Sequence, residues 1–237
     1  MFHPDGPSLR DLTVQALSST RRGYDLLAPK FDLTPFRTPR DLLSRVTSQL
    51  SADAPYAHGV DLCCGTGAGV HALRELCDEV TGVDYSEGML AEAERRLVHA
   101  PGAAPVRWVR ADVFDLPFDD DSFDLATSFG AFGHIVRPRQ PAFLAEVRRV
   151  LRPGGRFVFV TQRLPPLWSR KRILYTGFNA VMRARNRVLD PPFIMYYLNF
   201  TVPEILPKFE HAGFDMDVRP LGLQRWPQAL LVSATRR

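Results

Sequence analysis

The chain has 237 residues, 45% of them hydrophobic, which is enough for one large domain or two small ones with a buried core. The formal net charge of +4 is mildly basic and argues against nucleic-acid binding unless the charge is concentrated in one segment. The three cysteines are odd in number and lack paired spacing, which excludes a disulfide framework and a zinc site, and we expect no metal. Together with the lack of a secretory pattern and of a membrane-length apolar run, they predict a reducing, cytoplasmic location.

The first fifty residues carry two helical patterns ahead of the first strand. Apolar residues recur at helical spacing over residues 8–28, and a second amphipathic helix is predicted from Pro39 to about Leu50. We expect residues 1–50 to form a lead-in or cap rather than a separate domain. A strand over 58–63 follows.

A glycine-rich turn comes directly after this strand and opens the next helix. Gly65, Gly67 and Gly69 lack Cβ atoms, so the backbone can take positive φ and a bound molecule can approach it closely. The pattern alone leaves three interpretations open: a cofactor cradle, a nicotinamide or nucleotide loop, and a tight turn without a ligand. The choice depends on the residues at the ends of the next strands.

Helical and strand patterns alternate after the turn. The predicted elements are a helix of about ten residues to Cys77, a strand over 80–83 ending in Asp84, a helix over 86–99 that Pro101 ends, strands over 106–110 and 123–128 with a short turn or helix over 113–118 between them, a helix over 141–150 and a strand over 156–161. Such alternation favours an α/β fold with a mostly parallel sheet and helices on both faces. Ligands bind such sheets at the carboxyl ends of the strands, where Asp84, Asp112 and Ser128 fall.

Asp84 is the first of these strand-end residues to carry a specific expectation. An acidic residue about 20 positions after a glycine turn can accept hydrogen bonds from both hydroxyls of a ribose. Asp84 lies at that distance, although it could also simply begin the following helix. A nicotinamide-binding turn would require a further glycine, and the chain has Val70 instead. The turn and Asp84 together favour ribose binding.

Five stretches match one known family in order and at its spacing. They are Val60 to Gly67, Gly82 to Leu90, 111–113 with 116–118, Asp121 to Asp124, and Val150 to Phe157. They resemble the class I S-adenosylmethionine-dependent methyltransferases, in particular the small-molecule group of ubiquinone and menaquinone biosynthesis enzymes. The resemblance implies a Rossmann-like, doubly wound α/β fold whose mostly parallel seven-stranded sheet has an antiparallel edge strand and a helical lid insertion. It also implies methyl transfer from S-adenosyl-L-methionine, with S-adenosyl-L-homocysteine as product.

The resemblance further implies roles at the methionine end of the cofactor. Gly65 and Gly67, with the backbone around Cys63, would cradle the methionine part of the cofactor. Asp61 would organise its ammonium group directly or through water, and Ser128 would contribute its backbone carbonyl nearby.

At the nucleoside end, the resemblance implies a second set of contacts. Asp84 would hold the ribose, with Tyr85 and Met89 beside the adenine. Asp112 would accept a hydrogen bond from the adenine amino group, and the backbone amide of Val113 would bond to the ring.

Four residues near these motifs keep two interpretations each. Cys63 and Cys64 could be redox-active or nucleophilic, but small residues are expected where strand meets turn, and we interpret them as packing residues. Tyr24 resembles a tyrosine that relatives place over the site, and it could equally be a core aromatic. His134, after the fourth strand, is the candidate general base or acceptor contact, although a loop histidine can also be structural or exposed.

The most distinctive segment follows the core, over residues 163–200. From Arg163 to Leu189 it has seven Lys or Arg residues and no Asp or Glu. One predicted helical face comprises Leu174, Phe178, Val181 and Met182. This segment could be a lid over the acceptor, a peripheral membrane contact through 163–190, a nucleic-acid contact, or a helix packed on the core with solvated arginines.

The remaining residues complete the predicted domain. Thr201 is expected to cap a helix that runs to His211, and strands over 214–220 and 228–235 are expected as an antiparallel addition. We expect one methyltransferase domain over 1–237, with the lead-in at 1–50, the cofactor-binding core at 55–162, the lid insertion at 163–200, and a C-terminal helix and edge strands at 201–237.

The acceptor is expected to be a small molecule with an apolar or aromatic portion, such as a quinone precursor, polyketide or lipid-like metabolite, methylated on oxygen, nitrogen or carbon. Two alternatives remain at this stage. An RNA methyltransferase would often carry an Asn-Pro-Pro-Tyr-type motif after the fourth strand, and the chain has none, so no stable nucleic-acid partner is expected. A regulatory protein that binds S-adenosylmethionine or S-adenosylhomocysteine without turnover would keep the same acidic residues.

Overall fold

A seven-stranded sheet lies at the centre of the computed structural model, which describes residues 3–34, 36–98, 102–190, 192–195 and 200–237. The strands are β1 (Tyr56–Leu62), β2 (Cys77–Asp84), β3 (Val106–Arg110), β4 (Phe123–Ser128), β5 (Leu151–Gln162), β6 (Phe214–Pro220) and β7 (Ala229–Arg236). The helices are α1 (Leu9–Leu17), α2 (Thr20–Leu27), α3 (Arg40–Leu50), α4 (Ala68–Leu73), α5 (Glu87–Leu97), α6 (Gln140–Val150), α7 (Arg170–Val188) and α8 (Val202–His211). Short 3-10 turns occupy Ala28–Leu33, Ser51–Asp53, Phe132–His134 and Arg137–Arg139.

The strands follow the order β3-β2-β1-β4-β5-β7-β6 across the sheet. Strands β1 to β5 pair in parallel, whereas β7 runs antiparallel between β5 and β6. The direction of the strand order reverses between β1 and β4, and a crevice opens at the carboxyl ends of the strands at such a point. The predicted Rossmann-like, doubly wound sheet of seven mostly parallel strands is confirmed.

Two apolar clusters pack on the sheet, and neighbouring residues of one strand point into different clusters. Phe157 of β5 belongs to a cluster with α6 and α8, while Val158 belongs to a cluster with α3 and α4. The first cluster is rich in rings, with Phe132 of the 3-10 turn after β4 stacked on Phe143 of α6 at a centroid distance of 5.3 Å. This packing fixes the loop after β4 at the carboxyl edge of the sheet.

Several predicted boundaries were wrong. The pattern over 8–28 is two helices, α1 and α2, because Ser19 caps a new helix by accepting a hydrogen bond from the Arg22 amide. Helix α4 ends at Leu73 rather than at Cys77, which already begins β2. Between β3 and β4 the chain makes turns, which is one of the two forms predicted for that segment.

Two further differences concern β5 and α7. Strand β5 begins at Leu151 rather than at residue 156, so the Pro-Gly-Gly sequence over 153–155 is already part of the strand. In α7 the four residues predicted to share one helical face do not share one environment, because Leu174 and Val181 are exposed while Met182 is buried. The predicted end of the helix over 86–99, with His99 and Pro101, lies outside the described residues, as do 196–199 of the predicted lid.

Candidate active site

A cavity of about 470 Å³ lies at the carboxyl ends of β1, β2 and β4. Its walls combine the strand ends with residues of the N-terminal lead-in and of the segment after α7. The predicted site residues on its wall are Tyr24, Asp61, Cys63, Gly65, Asp84, Tyr85, Met89, Asp112, Val113 and His134.

Asp61, near the end of β1, is a buried carboxyl at the cavity wall with 2% of its surface exposed. Its Oδ1 accepts a 2.7 Å hydrogen bond from the hydroxyl of Thr127 on the neighbouring strand β4. Burial raises the pKa of Asp61 to about 7, against the opposing effect of the Thr127 bond and with a further increase from the charge of Asp84. A Cβ atom on Gly69 would come within 2.3 Å of Asp61 Oδ2, so only glycine fits beside this carboxyl.

Asp84, the last residue of β2, holds the glycine turn and the start of α5 together. Its Oδ2 accepts the Gly65 amide at 2.9 Å, and its Oδ1 accepts the Ser86 amide at 2.9 Å. Burial raises the pKa of Asp84, and these backbone bonds act in the opposite direction. Each carboxylate oxygen can accept more than one hydrogen bond, so the side chain keeps acceptor capacity toward the cavity.

Cys63 and Gly67 bend the chain between β1 and α4. Cys63 has φ of 57°, in the left-handed region that favours glycine. Gly67, with φ of 84°, faces away from the cavity, since a Cβ atom there would lie 3.1 Å from both Ala93 and Trp108. Burial, followed by the charge of Asp84, raises the pKa of the Cys63 thiol well above its usual range. A neutral thiol is a poor nucleophile, which favours the packing interpretation.

Asp112 and Val113 follow β3 at the next strand end. Asp112 is exposed and its Oδ1 accepts the Phe114 amide at 3.1 Å, while Val113 is buried. On the other side, Met89 is buried in the first turn of α5, and burial raises the pKa of the Tyr85 phenol. These four residues share the cavity wall with Asp84.

Ser128 and His134 lie at the end of β4 and in the loop beyond it. The Ser128 side chain is buried, its hydroxyl has no hydrogen-bond partner among the described residues, and the residue lies outside the cavity wall. His134 ends the 3-10 turn that Phe132 anchors in the core, and it reaches the wall of the cavity. The packing of Phe132 in the core therefore fixes the position of the turn that carries His134.

The N-terminal lead-in is hydrogen-bonded to the glycine turn and to helix α5. Asp25 Oδ1 accepts the Ser86 hydroxyl at 2.6 Å and the Gly88 amide at 3.0 Å. Asp32 Oδ1 accepts the Thr66 hydroxyl of the glycine turn at 2.8 Å, and Asp32 Oδ2 pairs with Arg96 of α5.

The segment after α7 closes the same side of the cavity. Thr20, the first residue of α2, donates its amide to the Pro192 carbonyl at 3.2 Å, and its hydroxyl accepts the Ile194 amide at 2.8 Å. Phe193 packs against α2 so closely that a Cβ atom on Gly23 would come within 2.6 Å of its ring. Tyr24 joins this contact, with its ring centroid 6.3 Å from that of Phe193.

Several wall residues were missed by the sequence analysis. Arg139 lies with its guanidinium carbon 3.6 Å from the centroid of the Phe114 ring, and both line the cavity. Phe31, Asp32 and Phe36 line it from the lead-in. The sequence carried no motif for these five residues, because their position depends on how distant elements dock.

Comparisons with known proteins agree with this geometry. A family model described as a methyltransferase domain matches residues 60–159. Demethylmenaquinone methyltransferase of Clavibacter sepedonicus is 42% identical over 68% of this chain and 63% of its own length. The 2-phytyl-1,4-naphtoquinone methyltransferase of Synechococcus elongatus is 32% identical over 65% of this chain and 68% of its own length. The chain belongs to the S-adenosylmethionine-dependent methyltransferase family.

The solved structures support the fold of this methyltransferase. The structure of DhpI in complex with S-adenosylhomocysteine has a TM-score of 0.64 with 20% sequence identity, covering 96% of this chain and 98% of that one. The family uses S-adenosylmethionine as its cofactor, as expected from the sequence. The match to the Clavibacter relative spans less than two thirds of that protein's length.

The described residues contain no group of three or more His, Cys, Asp or Glu side chains arranged to hold a metal ion. None of the helices described is both long and apolar enough to cross a bilayer.

Proposed function

We propose that this methyltransferase transfers the methyl group of S-adenosylmethionine to a small molecule with an apolar ring. The observation that carries the proposal is the composition of the single cavity at the strand ends. One part of its wall holds the acidic residues Asp61, Asp84 and Asp112, and another part, from the cap and the loop after β4, is mainly apolar. A polar cofactor and an apolar acceptor can therefore meet in one enclosed space.

The buried Asp61 fits the ammonium group of the methionine moiety. Its carboxyl is costly to ionise because it is buried, and a cation placed beside it would restore the ionised form. Asp84 fits the ribose, because both of its oxygens are oriented by backbone amides and keep capacity to accept hydroxyl hydrogens. The Gly65 region would leave room for the methionine backbone, since nothing lies within 4 Å of a Cβ atom built there.

The adenine would lie between Asp112 and Val113 on one side and Tyr85 and Met89 on the other. These residues surround the part of the cavity next to Asp84. Tyr24 would cover the site from the lead-in. Gly67 would act through the shape of the turn rather than by contact, because it faces Trp108 and Ala93. Ser128 remains a predicted contact through its backbone carbonyl.

The acceptor would occupy the part of the cavity lined by Phe36, Phe129, Ile194 and Met195. These side chains suit an apolar ring, in line with the quinone acceptors in the names of the two relatives. His134 lies on the same wall and is the residue we propose for taking a proton from the acceptor where one must leave.

Methyl transfer from this cofactor requires little catalysis by side chains. Bound S-adenosylmethionine supplies a methyl group on a positively charged sulfur, which is already a good leaving group. The protein's own contribution is to bind both molecules, align the acceptor atom with the methyl group and exclude water. The cap and the segment 192–195 supply that exclusion, because they cover the cavity from the side away from the sheet.

The domain layout is part of the proposal. Residues 1–50 would form the cap, 55–162 the cofactor-binding core, 163–200 the lid, and 201–237 the completing helix and strands. A reducing, cytoplasmic setting would keep Cys63, Cys64 and Cys77 as free thiols, as they are in this structure.

Calorimetry and a radiolabel assay test the function in two steps. S-adenosylhomocysteine is titrated into the protein and into the variants Asp84→Asn and Asp215→Asn, the latter altering an exposed carboxylate of β6 as a matched control. We expect only Asp84→Asn to weaken binding, by about tenfold or more, because it removes a charged acceptor. Transfer from methyl-labelled S-adenosylmethionine is then measured with a naphthoquinol panel, small polar amines and total RNA. Binding without transfer to any panel member would support a regulatory protein, and transfer to RNA or only to polar amines would overturn the proposed acceptor class.

A further inference from the structure

Helix α7 has an inner and an outer apolar face, and within the described part of the chain only the inner one is packed. On the inner face Met182 is buried in a small cluster with Phe193 and Met195. Arg185 fixes this face to the lead-in by donating hydrogen bonds to the carbonyls of Ala16 at 2.9 Å and Ser18 at 3.0 Å. The attachment of α7 to the cap is therefore complete without the outer face.

The outer face exposes large apolar side chains in a helical stripe. Residues Ile173, Val181 and Val188 recur at intervals of seven or eight positions, about two helical turns, and Leu174 lies beside them. Trp168 precedes the helix with 91% of its surface exposed. The exposed fractions along the helix are 60% for Ile173, 68% for Leu174, 65% for Val181 and 81% for Val188.

Cations flank this stripe. Arg170, Lys171, Arg183 and Arg187 are all exposed, and the chain has no Asp or Glu between residues 163 and 189. An exposed apolar stripe with a cationic border and a tryptophan at one end is the pattern of a helix that lies in the interface of a membrane.

We propose that the outer face of α7 docks on an anionic phospholipid surface. The cations beside the stripe favour a lipid surface over a second copy of the chain. A second copy would bring the same cations together around a shared apolar stripe, and they would repel each other. RNA would satisfy the cations but would leave the aliphatic stripe in water. A lipid surface satisfies both, with phosphates against the cations and the acyl boundary against the stripe.

Docking would place the cavity next to the lipid. The chain leaving α7 contributes Pro192, Ile194 and Met195 to the cavity wall. An acceptor dissolved in the bilayer would then reach the cavity without crossing water. This consequence rests on the proposed acceptor class, whereas the docking itself does not.

Vesicle sedimentation tests the docking without any acceptor. The full chain is mixed with vesicles of phosphatidylcholine alone or with phosphatidylglycerol added, at about 20 mM and about 300 mM salt. We expect binding only to the anionic vesicles, weakening as salt rises, together with a blue shift of tryptophan emission that Trp168→Phe removes.

Two pairs of variants separate the stripe from the charge. Val181→Asp is compared with Val98→Asp, which changes another exposed valine, next to α5. The charge variant Lys171→Gln/Arg187→Gln is compared with Arg107→Gln/Arg225→Gln, which removes two exposed cations elsewhere. We expect the α7 variants to bind anionic vesicles about tenfold more weakly and the controls to bind normally. S-adenosylhomocysteine titration of each variant checks that the site is intact.

The proposal would be overturned if Val181→Asp bound anionic vesicles as tightly as the unmodified chain. It would also be overturned if the unmodified chain did not bind them at low salt. A concentration-dependent dimer that Val181→Asp dissolves would identify a second copy as the occupant instead. Salt-sensitive retention of RNA without vesicle binding would identify nucleic acid. If vesicles bind but no quinol is methylated, the docking holds and the proposed acceptor fails.

Discussion

The Ser86 hydroxyl joins the N-terminal cap to the start of α5 by donating a 2.6 Å hydrogen bond to Asp25 Oδ1. The same hydroxyl accepts the Met89 amide at 3.2 Å and so caps α5. Asp25 also accepts the Gly88 amide, and a Cβ atom on Gly88 would come within 2.9 Å of the Asp25 backbone. The cap therefore holds the start of α5, whose Met89 lies on the cavity wall.

Replacing Asp25 by alanine should detach the cap at this point. We expect Asp25→Ala to weaken S-adenosylhomocysteine binding by about tenfold, because it removes the two hydrogen bonds that hold the start of α5 in place beside the cavity. Gly88→Ala should have a similar effect through the steric clash alone. Asp41→Ala, an exposed carboxylate in the first turn of α3, is the control. Calorimetric affinity at the wild-type level for both Asp25→Ala and Gly88→Ala would show that the contact does not shape the site.

Asp32 and Thr66 form the second attachment, between the cap and the glycine turn. We expect Thr66→Val to raise the KM for S-adenosylmethionine several-fold and to lower the free energy of unfolding by about 1 kcal/mol, since one hydrogen bond of about that size is lost. A double-mutant cycle with Asp32→Asn should give a coupling energy of about 1 kcal/mol. Additive effects of the two substitutions on KM would mean that the hydrogen bond does not couple the cap to the turn.

The sequence predicted some parts of the site and not others. The difference lies in whether a contact depends on how distant parts of the chain dock. Asp84 and Asp112 were identified because the carboxyl ends of parallel strands meet at one edge of the sheet, whatever the loops do. Asp61 was identified through the resemblance to the methyltransferase family. Asp25 and Ser86 are 61 positions apart, and Asp32 and Thr66 are 34 apart, so their contacts depend on how the cap docks. No local pattern encodes such docking.

The sequence analysis did not separate the outer apolar face of α7 from its inner one, for a related reason. Helical periodicity identifies apolar faces but does not say which one the protein covers. The predicted face mixed Met182, which is buried, with Leu174 and Val181, which are exposed. Two apolar faces on one helix cannot be separated without the position of the cap.

His134 offers a test of proton transfer. We expect His134→Ala to lower kcat about a hundredfold with an acceptor that must lose a proton, since general base catalysis contributes at least that much. Binding of S-adenosylhomocysteine should stay within twofold of wild type, because the proposed position of this residue is beside the acceptor and not beside the cofactor. His134→Gln separates hydrogen bonding from proton transfer, and an unchanged kcat in His134→Ala would remove the residue from the reaction.

The buried Asp61 should make both stability and cofactor binding depend on pH. Burial raises its folded pKa from about 3.8 to about 7, so between these values the folded chain holds a proton that the unfolded chain has released. This carboxyl therefore lowers the free energy of unfolding of the cofactor-free protein as pH rises from about 4 to about 7, and the effect levels off above that. Asp61→Asn should remove this dependence and be more stable than wild type at pH 8.

The affinity for the cofactor should depend on pH in the opposite direction, because the ligand favours the ionised form of Asp61. The ammonium of S-adenosylhomocysteine should favour the ionised carboxylate, so binding near pH 7 should release a proton. Calorimetry in two buffers of different ionisation enthalpy measures that proton. We expect Asp61→Asn to release less of it and to bind more weakly, and an equal release in both proteins would assign the proton to another group.

Cys63 has a left-handed backbone, with φ of 57°, and this predicts an unusual order of stability among small substitutions. A side chain in this conformation costs about 1 to 2 kcal/mol, whereas the greater freedom of glycine in the unfolded chain costs about 0.5 to 1 kcal/mol. We therefore expect Cys63→Gly to be more stable than Cys63→Ala by up to about 1.5 kcal/mol. At Ala72, inside α4, Ala72→Gly should instead destabilise the protein by about 1 kcal/mol. Denaturant unfolding of the three variants measures these differences, and a Cys63→Ala variant more stable than Cys63→Gly would show that position 63 relaxes out of the left-handed conformation when the thiol is removed.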